Sequence, residues 1–430
     1  MKTVIKNIKL QKDSYGETIQ NGMIVYEDNI ITYAGKRFDT DVSEFSHVID
    51  GKESLAIPGL INCHSHAPMV ILRNIANDMT LNDWLFDHII PTEAKLKNDD
   101  YYWGTMLAAC EMIASGTTCF CDMYLNMEQC AQAVIDSGMR ANISKNTLTS
   151  DRALERGLIF DEKSFRSFIN EYNGAGNGRI KTSMEIHSLY LYEYDMIKRS
   201  VELAVDTSQP IHIHILETLF EKESMEAKYK KRVLETLNEL GIFQVPVIAA
   251  HMVHIDDKDI EFLKGRAVYP VHNPTSNLKL ASGVSPVDRM LKAGIKVCIG
   301  TDGAASNNNL NMIEEMHIAS LIHKGVNMDS KCVNAKETFE MATKNGAEAL
   351  GFKTGKLEPG FLADIVLLNE TGYHNIPGNG DTVSRLVYSM QGSDVNTVII
   401  DGKTVMRNNE IIGMDTEKII YEVKRIRNGL

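Results

Sequence analysis

His64 and His66 stand one residue apart at the end of the apolar run LINCH, so on a strand both imidazoles point the same way and can share an ion. A lone His-x-His carries little weight, because surface and hydrogen-bonded histidines are common. Its company is what counts. His212 and His214 alternate with Ile211, Ile213 and Ile215, which sends the histidines to one face of a strand and the isoleucines to the other. His214 lies nearer the strand's carboxyl end, whereas His212 reads as an interior ring held by a hydrogen bond. Asp302 follows the buried-strand run VCIGT, where an unpaired carboxylate is costly unless a cation or an ion pair meets it. His64, His66, His214 and Asp302 together suit one divalent metal, zinc first and ferrous iron as the alternative, with a position left open for water. Such an ion acidifies its water toward a pKa of about 7.

Other ionisable groups fall near the same place. Glu217, three residues past His214, can carry a proton between water and substrate, or be a solvated loop residue. His251, closing VPVIAAH, can orient or polarise the attacking hydroxide, while His254 reads as a loop residue or as one that supports the site from behind. His272 in VHNPTSN reads as structural, its ring a partner for the Asn-Pro turn. A lysine after the fourth strand would point to a two-metal centre, but His187 stands there, so one metal is expected.

Positioning these groups falls to eight strand-like runs: LAIPGLINCH, GTTCFCDM, MRANIS, IKTSMEIH, QPIHIHIL, VPVIAAH, RAVYPVH and IKVCIGTD. Helical patterns such as DYYWGTMLAACEMIASG, EYDMIKRSVELAVD and SPVDRMLKAG intervene, several closed by glycine. Eight βα repeats predict an α/β fold, a (β/α)8 TIM-like barrel over 57–355, whose active site is built at the strands' carboxyl ends. His64, His66, His187, His214, Glu217, His251, His272 and Asp302 all fall at such ends. The flanks, 1–56 and 356–430, carry short alternating strands and a charged final helix, and predict a small β-sandwich domain built by both ends.

Composition narrows the class of ligand. Over 430 residues the net charge is -12 and no stretch concentrates Lys and Arg, which argues against nucleic acid or an anionic membrane and for a small molecule. The opening MKTVIKNIKLQKD lacks an export signal's apolar core and cleavage site, and no run approaches the roughly 20 apolar residues of a membrane span, so a cytoplasmic enzyme is expected. Seven scattered cysteines suit reduced thiols, with Cys119 and Cys121 packing on one face of a strand. A homo-oligomer is expected on base rate alone.

The motifs PGLINCHSH, LNDWLFDHIIPTE, HIHILET, AAHMVH, HNPTSNLKLASG, GTDGAASNNNLNM and GKLEPGFLADIVLLN make the chain resemble the amidohydrolase superfamily and, within it, the 5'-methylthioadenosine/S-adenosylhomocysteine deaminases. The resemblance spans nearly the whole chain and implies a distorted barrel with a β-sandwich from both ends. It implies metal binding by His64, His66, His214 and Asp302, proton transfer to a ring nitrogen by Glu217, and help to the attacking hydroxide from His251. Asp302 would also pass the water's proton to the leaving amine. Attack at C6 of an adenine ring would release ammonia. For substrate contacts it implies Trp84, His187 and, toward a substrate carboxylate, Arg156; Asn82 stands where some members carry a ribose-binding glutamate. Around His187 this chain reads Glu-Ile-His-Ser-Leu-Tyr where the family usually shows Gly-Pro-His-Ser-Pro-Tyr, and a second arginine after Arg156 is not evident. Two other readings are a deaminase or chlorohydrolase of another heterocycle (guanine, a pterin, an s-triazine) and a non-catalytic scaffold.

Overall fold

The computed structural model describes residues 1–39, 41–81, 83–147 and 161–430. The chain opens with β1 (Lys2–Leu10), β2 (Ile19–Glu27), β3 (Ile30–Lys36), β4 (His47–Asp50) and β5 (Leu55–Pro58). Period-two alternation sorts β1 between two cores: Val4 joins Met23, Val25 and Phe45, while Ile5 joins Ile24 and Ile31. Asn7, at φ 57°, makes a bulge that resets the alternation, so Ile8 and Leu10 share the face of Ile5.

The eight expected barrel strands follow: β6 (Leu60–Ser65), β7 (Thr117–Met123), β8 (Arg140–Asn146), β9 (Ile180–Ser188), β10 (Ile211–Ile215), β11 (Val247–His251), β12 (Val268–His272) and β13 (Cys298–Ile299). They pair in sequence order, all parallel, and the continuous burial of β6, β10 and β11 is that of strands covered on both faces. The ring closes between its last and first members mostly through one side chain. Thr301 N–H donates to Asn62 Oδ1 at 3.0 Å, Asn62 Nδ2 donates to Thr301 Oγ1 at 2.7 Å, and Asp302 N–H reaches the His64 carbonyl at 3.0 Å. Gly300 allows this approach, since a Cβ there would lie 2.8 Å from His64 N.

The chain then returns with β14 (Ile365–Leu368), β15 (Val395–Ile400), β16 (Lys403–Arg407) and β17 (Glu410–Ile411) to complete a nine-stranded sheet ordered β17-β16-β15-β14-β5-β1-β2-β3, with β4 also paired to β1. Both ends therefore build one β module, as expected. The run LAIPGLINCH, expected as one strand, is two: β5 pairs with β14 and β1, β6 enters the barrel, and Gly59 makes the crossing. A Cβ on Gly59 would fall 2.0 Å from Thr118 Oγ1.

Sheet and barrel meet at a buried ion cluster. Arg140, at the start of β8, donates from Nε to Asp364 Oδ2 at 2.8 Å and from Nη2 to Asp401 Oδ1 at 3.0 Å. The final helix, Thr416–Asn428, packs Ile419 against Met106, Cys110 and Ala133 of the barrel helices Asn98–Ala114 and Met127–Ser137. All seven cysteines are free and buried, with Cys119 and Cys121 packed beside Cys63 and Cys298. Among the described residues no helix is long and apolar enough to cross a membrane.

Candidate metal centre and active site

His64 and His66 leave β6, His187 lies near the end of β9, His214 on β10, His251 closes β11, and Asp302 follows β13, so one barrel mouth gathers them. Leu216, His251 and Asp302 hold left-handed backbone at φ 52°, 72° and 62°, a conformation that non-glycine residues adopt at a cost and that concentrates where function demands it. Donor atoms of His64, His66 and His214 lie within 4.8 Å of one another, as do those of His64, His251 and Asp302. Asp302 Oδ1 is 3.3 Å from Nε2 of both His64 and His66.

The hydrogen bonds around these groups decide whether they fit a cation. His66 Nδ1 donates to the Met123 carbonyl at 2.6 Å and His214 Nδ1 to the His187 carbonyl at 2.8 Å. A carbonyl only accepts, so each ring keeps its Nε2 lone pair for the centre. His64 Nε2 is buried with no hydrogen-bond partner. Burial holds the His64 pKa down to about 4 and that of His214 well below the usual histidine range. Burial would raise the Asp302 carboxyl, yet the imidazoles of His64, His251 and His66 pull it well below the carboxylate range. Ser276 Oγ at 2.6 Å and Ser306 Oγ at 3.0 Å donate to its Oδ2, and Gly303 N–H at 2.8 Å donates to its Oδ1. Converging lone pairs and a carboxylate repel one another unless a cation sits among them, so the set fits a divalent metal.

Beside it lies an acid–base pair. Glu217 is buried, which raises its carboxyl pKa against the pull of His251, and its Oε2 is 3.9 Å from His251 Nε2. Burial alone would lower His251, but Glu217 and Asp302 outweigh it and raise its pKa. His251 Nδ1 donates to Asn277 Oδ1 at 2.8 Å, which aims Nε2 at the centre. A carboxyl whose pKa is raised by burial is the better placed to give a proton to a substrate nitrogen.

Sequence reasoning missed what holds Glu217. Glu221, buried in the first turn of the helix Leu219–Tyr229, accepts the Leu216 N–H at 3.0 Å on one oxygen and the Glu217 N–H at 2.9 Å on the other. Its spacing in ETLFE was the available signal. Asp122 was missed too: it accepts from Ser65 Oγ at 3.0 Å and Ala67 N–H at 2.7 Å, gripping the chain on both sides of His66.

The expected substrate contacts divide. His187 is half-buried with its ring 4.4 Å from that of His214, measured between centroids. Trp84, in the helical segment Asp83–Ile89 after β6, packs into the main core, its indole N–H without a partner among the described residues. Asn82 and Arg156 lie outside the described residues. His254 Nε2 bonds to the Ser282 carbonyl at 2.8 Å, as a loop residue should. His272 is buried as expected, but its ring meets His323 Nε2 at 3.2 Å across the barrel wall rather than the Asn-Pro turn, because the helix Met312–Asn327 packs there.

The chain is 46% identical to the 5-methylthioadenosine/S-adenosylhomocysteine deaminase of Acetivibrio thermocellus, covering 99% of each chain. It is 45% identical to the enzyme of the same name from Caldanaerobacter subterraneus subsp. tengcongensis, over 100% of this chain and 98% of that one. Its fold matches the crystal structure of an adenosine deaminase from Xanthomonas campestris with bound zinc, at a TM-score of 0.89 and 28% identity, over 99% of this chain and 98% of the other. Residues 55–405 match the amidohydrolase family, and with the barrel and its histidine set in view the chain belongs to that family.

Proposed function

We propose that this chain deaminates an adenosine-type nucleoside, consuming water and releasing ammonia and the inosine analogue. Candidate substrates are 5'-methylthioadenosine, S-adenosylhomocysteine, 5'-deoxyadenosine and adenosine. The observation that carries the reading is the buried Glu217 carboxyl, pKa raised, beside His251 at the edge of the histidine–aspartate cluster. The full-length likeness to named deaminases supports it.

In this reading His64, His66, His214 and Asp302 hold one zinc or ferrous ion. Such an ion, when bound, brings the pKa of water down toward about 7. Glu217 gives its proton to a purine ring nitrogen as the nucleophile adds at C6 and recovers one from the C6 hydroxyl as the amine departs, and His251 Nε2 orients that nucleophile. Asp302 takes up a proton from the water and returns it to the departing amine. Trp84, Asn82, Arg156 and His187 are the proposed substrate contacts. The catalytic barrel is assigned 57–355 and the β domain 1–56 with 356–430.

The test is ammonia release by metal-loaded protein from those four nucleosides, set against guanine, a pterin and an s-triazine, with metal analysis on the same sample. Turnover of at least one nucleoside, faster than any rival ring, is expected. No turnover of any nucleoside overturns the assignment.

A further inference from the structure

We propose that His212 is a positioning residue for the metal centre, accepting the Nδ1 proton of His64 and so dictating which nitrogen of that ring faces the ion. This rests on the metal assignment above.

Two of the three candidate imidazole ligands are oriented by carbonyls, which can only accept. His64 is the exception. Its Nδ1 lies 2.9 Å from Nε2 of His212, and a contact between two imidazoles has two possible directions. Only one of them leaves the His64 Nε2 lone pair free. Elsewhere in the chain the direction is already set. His212 Nδ1 is 2.9 Å from Ser144 Oγ, Ser144 Oγ is 2.8 Å from Ser183 Oγ, and Ser183 Oγ donates to Asn142 Oδ1 at 2.6 Å. The amide oxygen accepts only, so Ser183 spends its proton there and must accept from Ser144. Ser144 in turn has no proton left for His212 and must accept from Nδ1. That leaves His212 Nε2 bare, ready for the proton of His64. The second neighbour of His212 Nδ1, Cys121 Sγ at 3.4 Å, is a weak partner and does not reverse the order.

All five residues are buried, His64, His212, Ser144 and Ser183 at 0% exposure and Asn142 at 1%, so bulk water does not compete for these bonds. The relay runs from β6 through β10 to β8 and β9, across the barrel interior. A residue that never touches the ion therefore sets the ligand state of one that does, and outer partners of this kind typically govern 10–100-fold in metal affinity.

The experiment measures zinc affinity by competition with a chromophoric chelator for the parent, His212→Leu, His212→Gln and Ser144→Ala, with thermal unfolding of each metal-free protein as a control. Glutamine keeps an acceptor near the Nε2 position and leucine does not. Expected are a loss of about 10–100-fold for His212→Leu, recovery of most of it by His212→Gln, and an intermediate loss for Ser144→Ala. On the zinc-loaded parent, long-range proton–nitrogen spectra of labelled histidine should show His212 protonated at Nδ1 and bare at Nε2. That measurement decides the matter even where the leucine variant does not fold. His212→Leu with the parent's affinity, equal losses for leucine and glutamine, or a His212 protonated at Nε2 overturns the proposal. A parent that binds neither zinc nor ferrous iron overturns the metal assignment and this inference with it, whereas a parent that binds zinc with an indifferent His212 overturns this inference alone.

Discussion

Replacing Glu221 by glutamine keeps its shape and removes one acceptor. Its two oxygens each hold one backbone N–H of the Leu216–Glu217 turn, at 3.0 and 2.9 Å, and Leu216 there stands at φ 52°. An amide offers one oxygen, so one buried N–H faces an NH2 group instead, at a cost of about 1–3 kcal/mol. The pH dependence carries a second signature. Burial lifts the Glu221 carboxyl from 4.5 to about 7, opposed by the Leu216 and Glu217 N–H groups. A carboxyl raised in the fold binds its proton more tightly folded than unfolded, so the parent loses stability as pH climbs from the unfolded value to about 7, by about 3 kcal/mol in all. Glutamine does not titrate, so Glu221→Gln is most destabilised relative to the parent near pH 5, and its deficit narrows by about that amount toward pH 8. A turn that relaxes by ~1 Å carries the Glu217 carboxyl with it, and displacement on that scale costs on the order of 100-fold in kcat, with metal content unchanged. Urea unfolding of both proteins from pH 5 to 8 and steady-state ammonia release measure the two effects. A stability difference flat across that range, together with an unchanged kcat, would refute the reasoning.

Three further outcomes are expected. Glu217→Gln keeps its metal and loses about 10²–10⁴-fold in kcat, because the proton carrier goes while the ligands stay; unchanged turnover in metal-replete variant removes Glu217 from the chemistry. Arg140→Met leaves the buried Asp364 and the half-buried Asp401 carboxylates without their cation and destabilises the protein by about 3–5 kcal/mol in denaturant, and a loss below roughly 1 kcal/mol would mean the cluster does not join sheet to barrel. Exhaustive chelation abolishes ammonia release and either zinc or ferrous iron restores it, with the better of the two naming the working metal; full activity in metal-free protein contradicts a metal-dependent mechanism.

The barrel was legible because strands buried on both faces must be apolar throughout, so a polar residue that ends such a run stands out. His64, His214, His251 and Asp302 stand out in the sequence in that way. Other features carry no such mark. The crossing at Gly59 joins two apolar strands of different sheets, and periodicity does not distinguish them from one. Arg140 looks like a stray charge in MRANIS until Asp364 and Asp401, 224 and 261 residues further on, fold back to it. Glu221 spends its carboxylate on backbone N–H groups, which every residue but proline possesses, so no partner residue type betrays it. The fate of His212 was half legible, since alternation placed it inside but gave no clue that its neighbour would be another histidine from β6.

The join between β13 and β6 has a further consequence. β13 contributes only Cys298 and Ile299 to the ladder, and the Asn62 amide stands in for the missing rungs. His64 and His66 line one bank of that gap and Asp302 the other. An ion gripped from both banks would act as a rivet, so that shutting the barrel and filling the site become a single event. The Thr301 amide, which lies on the gap and bonds to Asn62, would then exchange with solvent deuterium at a rate that reports occupancy of a site it does not touch.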